Sequence, residues 1–131
     1  MIDLVETQRL KDAIEETPTK FRSIIEDTDL AICITTQEGN FYAVNNNYCK
    51  LYGYEREELV GKSFLIVVPP VTQQELSDLH DKFIDARIEL FRTWEVQRKG
   101  GELIRIGVDA GYTDKINGEP QKLTFVKRIS Q

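Results

Sequence analysis

The chain has 131 residues, 40% of them hydrophobic and 30% charged, the size of one domain that can bury most of its apolar surface in a single core. A net charge of −5 and a pI near 5.0 leave no basic surface to hold a phosphate backbone, which excludes direct nucleic-acid binding. No apolar run approaches the ~18 residues of a membrane span, and the start MIDLVETQRL lacks the charged-then-apolar layout of a signal peptide, so no membrane association and a cytoplasmic location are expected.

Residues 2–17 predict an amphipathic helix, with Ile2, Val5, Leu10, Ala13 and Ile14 apolar and charges between them. An isolated helix of this length is marginal in water. Its stripe must therefore pack on the domain's own sheet or on the same helix of a second chain, and a homodimer through residues 1–18 is the expectation. Thr17-Pro18 breaks it, and a second helix over 19–27 turns Phe21, Ile24 and Ile25 inward. Leu30–Thr36 is a continuous apolar, β-branched run, as a strand covered on both faces would be. Glu38-Gly39-Asn40 turns the chain into a second short strand, Phe41–Val44, which makes a hairpin.

Asn45 or Asn46 caps the next helix, whose Tyr48, Leu51 and Tyr52 share a face and whose end is Gly53. Glu55–Val60 restarts a turn of helix with acidic residues at its positive end. After Val67-Val68-Pro69-Pro70 the longest helix is expected, capped by Thr72 with Glu75 three residues on and running to about Leu90. Its stripe is Leu76, Leu79, Phe83, Ala86 and Leu90, with His80 beside it. Residues 92–98 alternate, Lys99-Gly100-Gly101 turns, Leu103–Ala110 alternates again, and Asn117-Gly118 leads to a last strand over 122–129. The order β-β-α-α-α-β-β-β gives an α+β fold, a five-stranded antiparallel sheet with helices on one face plus the N-terminal helix.

Catalytic signals are missing: there is no glycine-rich phosphate loop, nucleophile elbow or metal-ligand cluster, and a single His defeats most triad and metal schemes. Glu57 and Glu58 are helix neighbours that do not face each other. Cys33 and Cys49 have no metal-type spacing to each other or to the His, so two buried free thiols are expected. A non-enzymatic sensor or interaction module is the reading that remains.

Five stretches, in order, carry a family resemblance. Asn45-x-x-x-Cys49-x-x-x-Gly53-Tyr54, Glu57-Glu58-Leu59-x-Gly61-Lys62-x-Phe64, the segment ending in Pro69-Pro70, Arg98-Lys99-Gly100-Gly101, and Phe125–Ser130 together resemble a PAS domain over about 21–130. The resemblance implies a domain over 19–131 of a signal-transduction protein such as a histidine kinase or transcriptional regulator. It implies a small-molecule ligand held between sheet and long helix, with Ile34, Tyr42, Tyr48, Leu51, Phe64, Phe83, Trp94, Ile106 and Phe125 as the expected lining. It also implies transmission through a dimer that uses the N-terminal helix and the outer sheet face. A ligand-free dimerisation module is the alternative.

The cofactor is left open by the resemblance. Photoreactive flavin members carry a Cys in a motif that surrounds neither Cys33 nor Cys49, and Trp94 sits closer to the Lys99-Gly100-Gly101 turn than flavin redox sensors require. His80-Asp81-Lys82-Phe83-Ile84 resembles the haem-ligating motif of gas-sensing members, with Arg92 where those carry a basic residue over the gas. The span from the double proline to His80 is longer than in those sensors, and the span from His80 to Arg92 is shorter.

Overall fold

The computed structural model of the chain describes residues 2–87 and 92–129, with Arg92 described by its backbone only. Five antiparallel strands form one sheet: β1 (Ala31–Thr36), β2 (Phe41–Val44), β3 (Arg92–Gln97), β4 (Leu103–Thr113) and β5 (Gln121–Arg128). Their spatial order is β2-β1-β5-β4-β3, so the first and last strands of the chain lie side by side at the centre. This is why Leu30–Thr36 reads as a continuous apolar run: Ala31 to Thr35 are all buried, with alternate side chains entering two different cores.

On one face sit α3 (Asn46–Tyr52), α4 (Arg56–Leu59) and α5 (Gln73–Ala86), joined by a 3₁₀ turn at Phe64–Val67. These helices and the sheet bury Cys33, Val44, Tyr48, Tyr52, Leu59, Val67, Val68, Val96, Ile104, Ile106, Val108 and Val126. The opposite face is not bare. There α1 (Leu4–Glu16) and α2 (Phe21–Glu26) bury Ile2, Leu10, Ile14, Phe21 and Ile25 against Ile32, Ile34, Ala43, Leu123 and Phe125. The expected layout of helices on one face holds for α3–α5, while the N-terminal helix closes a second apolar layer on the chain's own sheet.

That packing corrects one expectation. Ile2, Leu10 and Ile14 are buried within the single chain, so most of the stripe packs on the chain's own sheet, while Val5 stays 80% exposed. Polar bonds fix the docking. The Thr7 hydroxyl and Lys11 Nζ both reach Asp109 Oδ2 on β4, at 2.6 and 3.1 Å, and Thr113 donates to Glu15 at 2.6 Å. Gly111 lets α1 approach, because a Cβ there would stand 3.1 Å from the Lys11 side chain.

Asn45 holds the junction of the layers. Its side chain accepts from Tyr48 N–H (2.9 Å), which caps α3, and from Ile32 N–H (3.0 Å). It donates to the carbonyls of Ile25 (2.6 Å) and Leu30 (3.0 Å), so it ties α2, β1 and α3 together with no exposed surface. Gly53 ends α3 at φ 80°, and Glu55 with Glu58 forms the capping box of α4. At α5 the expected box is absent. Thr72 Oγ1 turns back to the Pro69 carbonyl (3.4 Å), and α5 ends at Ala86 with Arg87 left-handed at φ 59°; Leu90 lies outside the described residues.

Among the described residues no helix is long and apolar enough to cross a membrane.

Candidate functional site

Between the sheet and α5 lies a cavity of about 90 Å³. Most of its wall is apolar: Val67, Val68, Leu76, Leu79, Trp94, Val96, Ile106, Val108 and Val126. One end is polar, because the inward positions of the two central strands there carry Thr35 on β1 and Lys122 and Thr124 on β5, with His80 coming from α5. Thr35 and Lys122 are direct cross-strand partners, as are Cys33 and Thr124. No Asp or Glu lines the cavity among the described residues.

The polar end is deeply placed. Thr35 is 3% exposed, and its hydroxyl has no hydrogen-bond partner among the described residues. Lys122 is 9% exposed, with its ammonium 4.9 Å from the centre of the Phe83 ring. His80 is 4% exposed, and its Nε2 stands 3.0 Å from the Thr36 carbonyl and 3.1 Å from that of Gln37. Two carbonyls can only accept, so Nε2 carries the proton. Burial, reinforced by the positive charge of Lys122, pushes the imidazole pKa down, so the ring is neutral at pH 7.

Tyr48 and Tyr52 close the far wall, with ring centres 4.6 Å apart. Burial raises both phenol pKa values, helped in each case by the Cys33 thiol alongside. Cys33 is buried, whereas Cys49 is only half-buried, with its thiol pKa raised by burial.

Of the residues expected to form the lining, Tyr48, Phe64, Trp94 and Ile106 border this cavity. Leu51 packs against the same core without reaching the cavity, and Phe83 is buried beside it beneath Lys122. Ile34, Tyr42 and Phe125 are on the other side of the sheet, in the layer covered by α1 and α2. Strand parity puts them there: Ile34 is the outward neighbour of inward Thr35, and Phe125 the outward neighbour of inward Thr124 and Val126. Tyr42 alternates with Phe41, which packs on Tyr48 of α3, and so turns to the other layer. Thr35, Lys122 and Thr124 were not foreseen. A lysine that shares a strand face with Thr124 and Val126 is the one signal that could have found them.

The haem expectation does not fit this geometry. Iron ligation by His80 through Nε2 would require breaking both bonds to the hairpin carbonyls. Ligands of drug size occupy pockets of about 300–1,000 Å³. A porphyrin or a flavin ring belongs to that class, and the cavity is far smaller. Arg92 pairs with Val108 at the start of β3, and its side chain lies outside the described residues. Among the described residues no cluster of three His, Cys, Asp or Glu side chains could hold a metal.

Comparison with known proteins gives a consistent result. The family model described as the PAS fold matches residues 19–128. The PAS domain of a Desulfitobacterium hafniense protein superposes with a TM-score of 0.73 at 20% identity, over 82% of this chain and 99% of that one. A domain of a sensory box sensor histidine kinase/response regulator from Geobacter sulfurreducens gives 0.71 at 17% identity, over 87% and 96%. A PAS domain from a two-component sensor histidine kinase gives 0.70 at 17%, over 88% and 99%. No curated protein matches the chain.

Proposed function

We propose that this chain, which belongs to the PAS family, is the sensory domain of a signal-transduction protein and takes a small ligand into the cavity between its sheet and α5. The observation that carries this reading is the cavity of about 90 Å³, whose wall includes a buried hydroxyl without a partner among the described residues. Interiors are close-packed and buried polar groups are normally bonded, so a void edged by an orphan hydroxyl is a place kept for something else. The sensor histidine kinases among the similar structures support the signalling role.

The sheet offers a route from ligand to output. β1 and β5 each turn one set of side chains to the cavity and the alternate set to α1 and α2: Thr35 beside Ile34, and Thr124 beside Leu123 and Phe125. A ligand that shifts these strands shifts the floor on which α1 rests. Because the inner face of α1 is already spent, transmission to a second copy uses what α1 leaves exposed, Leu4 and Val5, which are 54% and 80% exposed.

Two measurements test the reading. Amide spectra of the full chain, titrated with small polar probes, should show saturable shifts at Thr35 and Thr124; none with any probe would refute ligand sensing. Light scattering should give a dimer that Leu4→Glu with Val5→Glu converts to a monomer. A monomeric wild type would remove the dimer from the scheme.

A further inference from the structure

From the volume of the cavity and the one unbonded hydroxyl in its wall, we infer that its ligand is a small neutral molecule of about three to five non-hydrogen atoms, with a single hydroxyl or carbonyl oxygen set against the Thr35 hydroxyl and a short carbon body among Ile106, Val108 and Val126. This rests on the ligand-sensing reading above and names the class of ligand that the same cavity takes.

The size follows from the volume. An apolar cavity of about 150 Å³ binds benzene, so in proportion one of about 90 Å³ takes a molecule of roughly four non-hydrogen atoms. The polarity follows from the wall. Thr35 is 3% exposed, and of the wall's buried side-chain nitrogen and oxygen atoms its hydroxyl is the one without a partner among the described residues. A hydroxyl both donates and accepts, so it serves a ligand hydroxyl or a ligand carbonyl. Elsewhere the wall is chiefly valine, leucine and isoleucine, and water filling such a space would lack the roughly two to four polar partners that each buried molecule needs. A charged ligand meets a further difficulty, because a charge taken out of water needs an opposite charge beside it. No acidic residue lines the cavity among the described residues, which leaves a cation without one, and the Lys122 ammonium is already seated over the Phe83 ring at 4.9 Å. A wholly apolar ligand would leave the Thr35 hydroxyl unbonded. His80 stays a wall and not a binding group, because its Nε2–H is committed to Thr36 and Gln37.

1-Propanol, acetone, 1-chloropropane and sodium propionate, titrated at matched ionic strength into the isotope-labelled full chain, decide the matter. 1-Propanol and acetone should shift the amides of Thr35 and Thr124 saturably and bind about fivefold more tightly than propionate and than 1-chloropropane, which has their size without the oxygen. Thr35→Val should lose about fivefold in 1-propanol affinity and none in 1-chloropropane affinity, whereas Thr35→Ser, which keeps the hydroxyl, should hold most of the wild-type affinity for 1-propanol. Should Thr35→Val not fold, the comparison of the four probes in the wild type carries the test. Equal affinities for 1-propanol and 1-chloropropane, or a Thr35→Val chain that keeps its 1-propanol affinity, would overturn the assignment. If propionate binds most tightly of the four, or 1-chloropropane alone saturates the cavity, the neutral oxygen-bearing ligand falls while ligand sensing stands. If none of the four shifts these amides, both fall.

Discussion

Thr35→Val should make the protein more stable, which is unusual for a change at a buried position in a central strand. Valine has nearly the shape of threonine and suits a strand at least as well, so the substitution exchanges one hydroxyl for one methyl. The hydroxyl is buried, and nothing among the described residues bonds to it. An unsatisfied buried polar group costs about 1–3 kcal/mol, and the methyl that replaces it gains a fraction of that from burial. Some of the penalty is relieved when solvent enters the cavity, so an increase of about 1–2 kcal/mol is expected. For a chain of this length that raises Tm by about 4–8 °C. Urea unfolding followed by the single tryptophan, Trp94, and by circular dichroism should show a higher midpoint with an unchanged slope. A loss of more than about 0.5 kcal/mol would refute the reasoning, because it would mean that the hydroxyl is bonded in the folded protein.

Asn45→Ala should cost about 3–5 kcal/mol in urea unfolding, well above the ~1 kcal/mol of an ordinary cap, since it takes the side-chain partner from two buried N–H groups and the Ile25 carbonyl at once and leaves the Leu30 carbonyl only the 3.4 Å bond from Asn47; a loss near 1 kcal/mol would mean that only the cap matters. Because the His80 pKa is lowered in the folded state, the unfolded chain takes up that proton first as pH falls below about 6.5, so this group's contribution is whole above 6.5 and is lost below it. His80→Gln should therefore flatten the fall in the urea midpoint between pH 7 and pH 5, and an identical slope in both proteins would contradict the assignment. Phe125→Ala should cost about 3–5 kcal/mol and loosen α1, which packs over it, whereas Trp94→Ala should cost less because Trp94 is only partly buried and borders the cavity; amide exchange in α1 that is unaltered by Phe125→Ala would refute the layer assignment.

The elements that could be read in advance are those whose boundaries are local. Asn45 and Gly53 delimit α3 through a side-chain cap and a left-handed backbone, and each is a property of a few adjacent residues. Thr72 with Glu75 looks the same in sequence, yet the proline turn before it offers the Thr72 hydroxyl a carbonyl at Pro69 instead of a helix N–H. The end of α5 was overrun because the apolar stripe continues past Ala86 while Arg87, with no glycine to mark it, takes the left-handed position. For α1 the stripe itself was legible. Its partner was not, because helix periodicity says which face is buried and nothing about what covers it.

The candidate site was harder for a related reason. In a strand covered on both faces every position is apolar, so the pattern no longer says which parity faces which core, and a shift of one residue exchanges Ile34 for Thr35. What breaks the degeneracy is a residue that violates it. Threonine whose hydroxyl has no partner among the described residues and a lysine at a buried inward position both depart from the usual apolar make-up of a sheet core, and the two are cross-strand partners. Gln121 is a further violation away from the cavity, wholly buried with no side-chain partner among the described residues, whereas Thr35 and Lys122 adjoin each other on the cavity wall, beside a neutral His80 held to the hairpin by its own backbone bonds. Sequences depart from consistency chiefly where function requires it. The polar end of this cavity is therefore a part of the molecule that folding alone does not explain, and a place where substitutions should separate stability from binding.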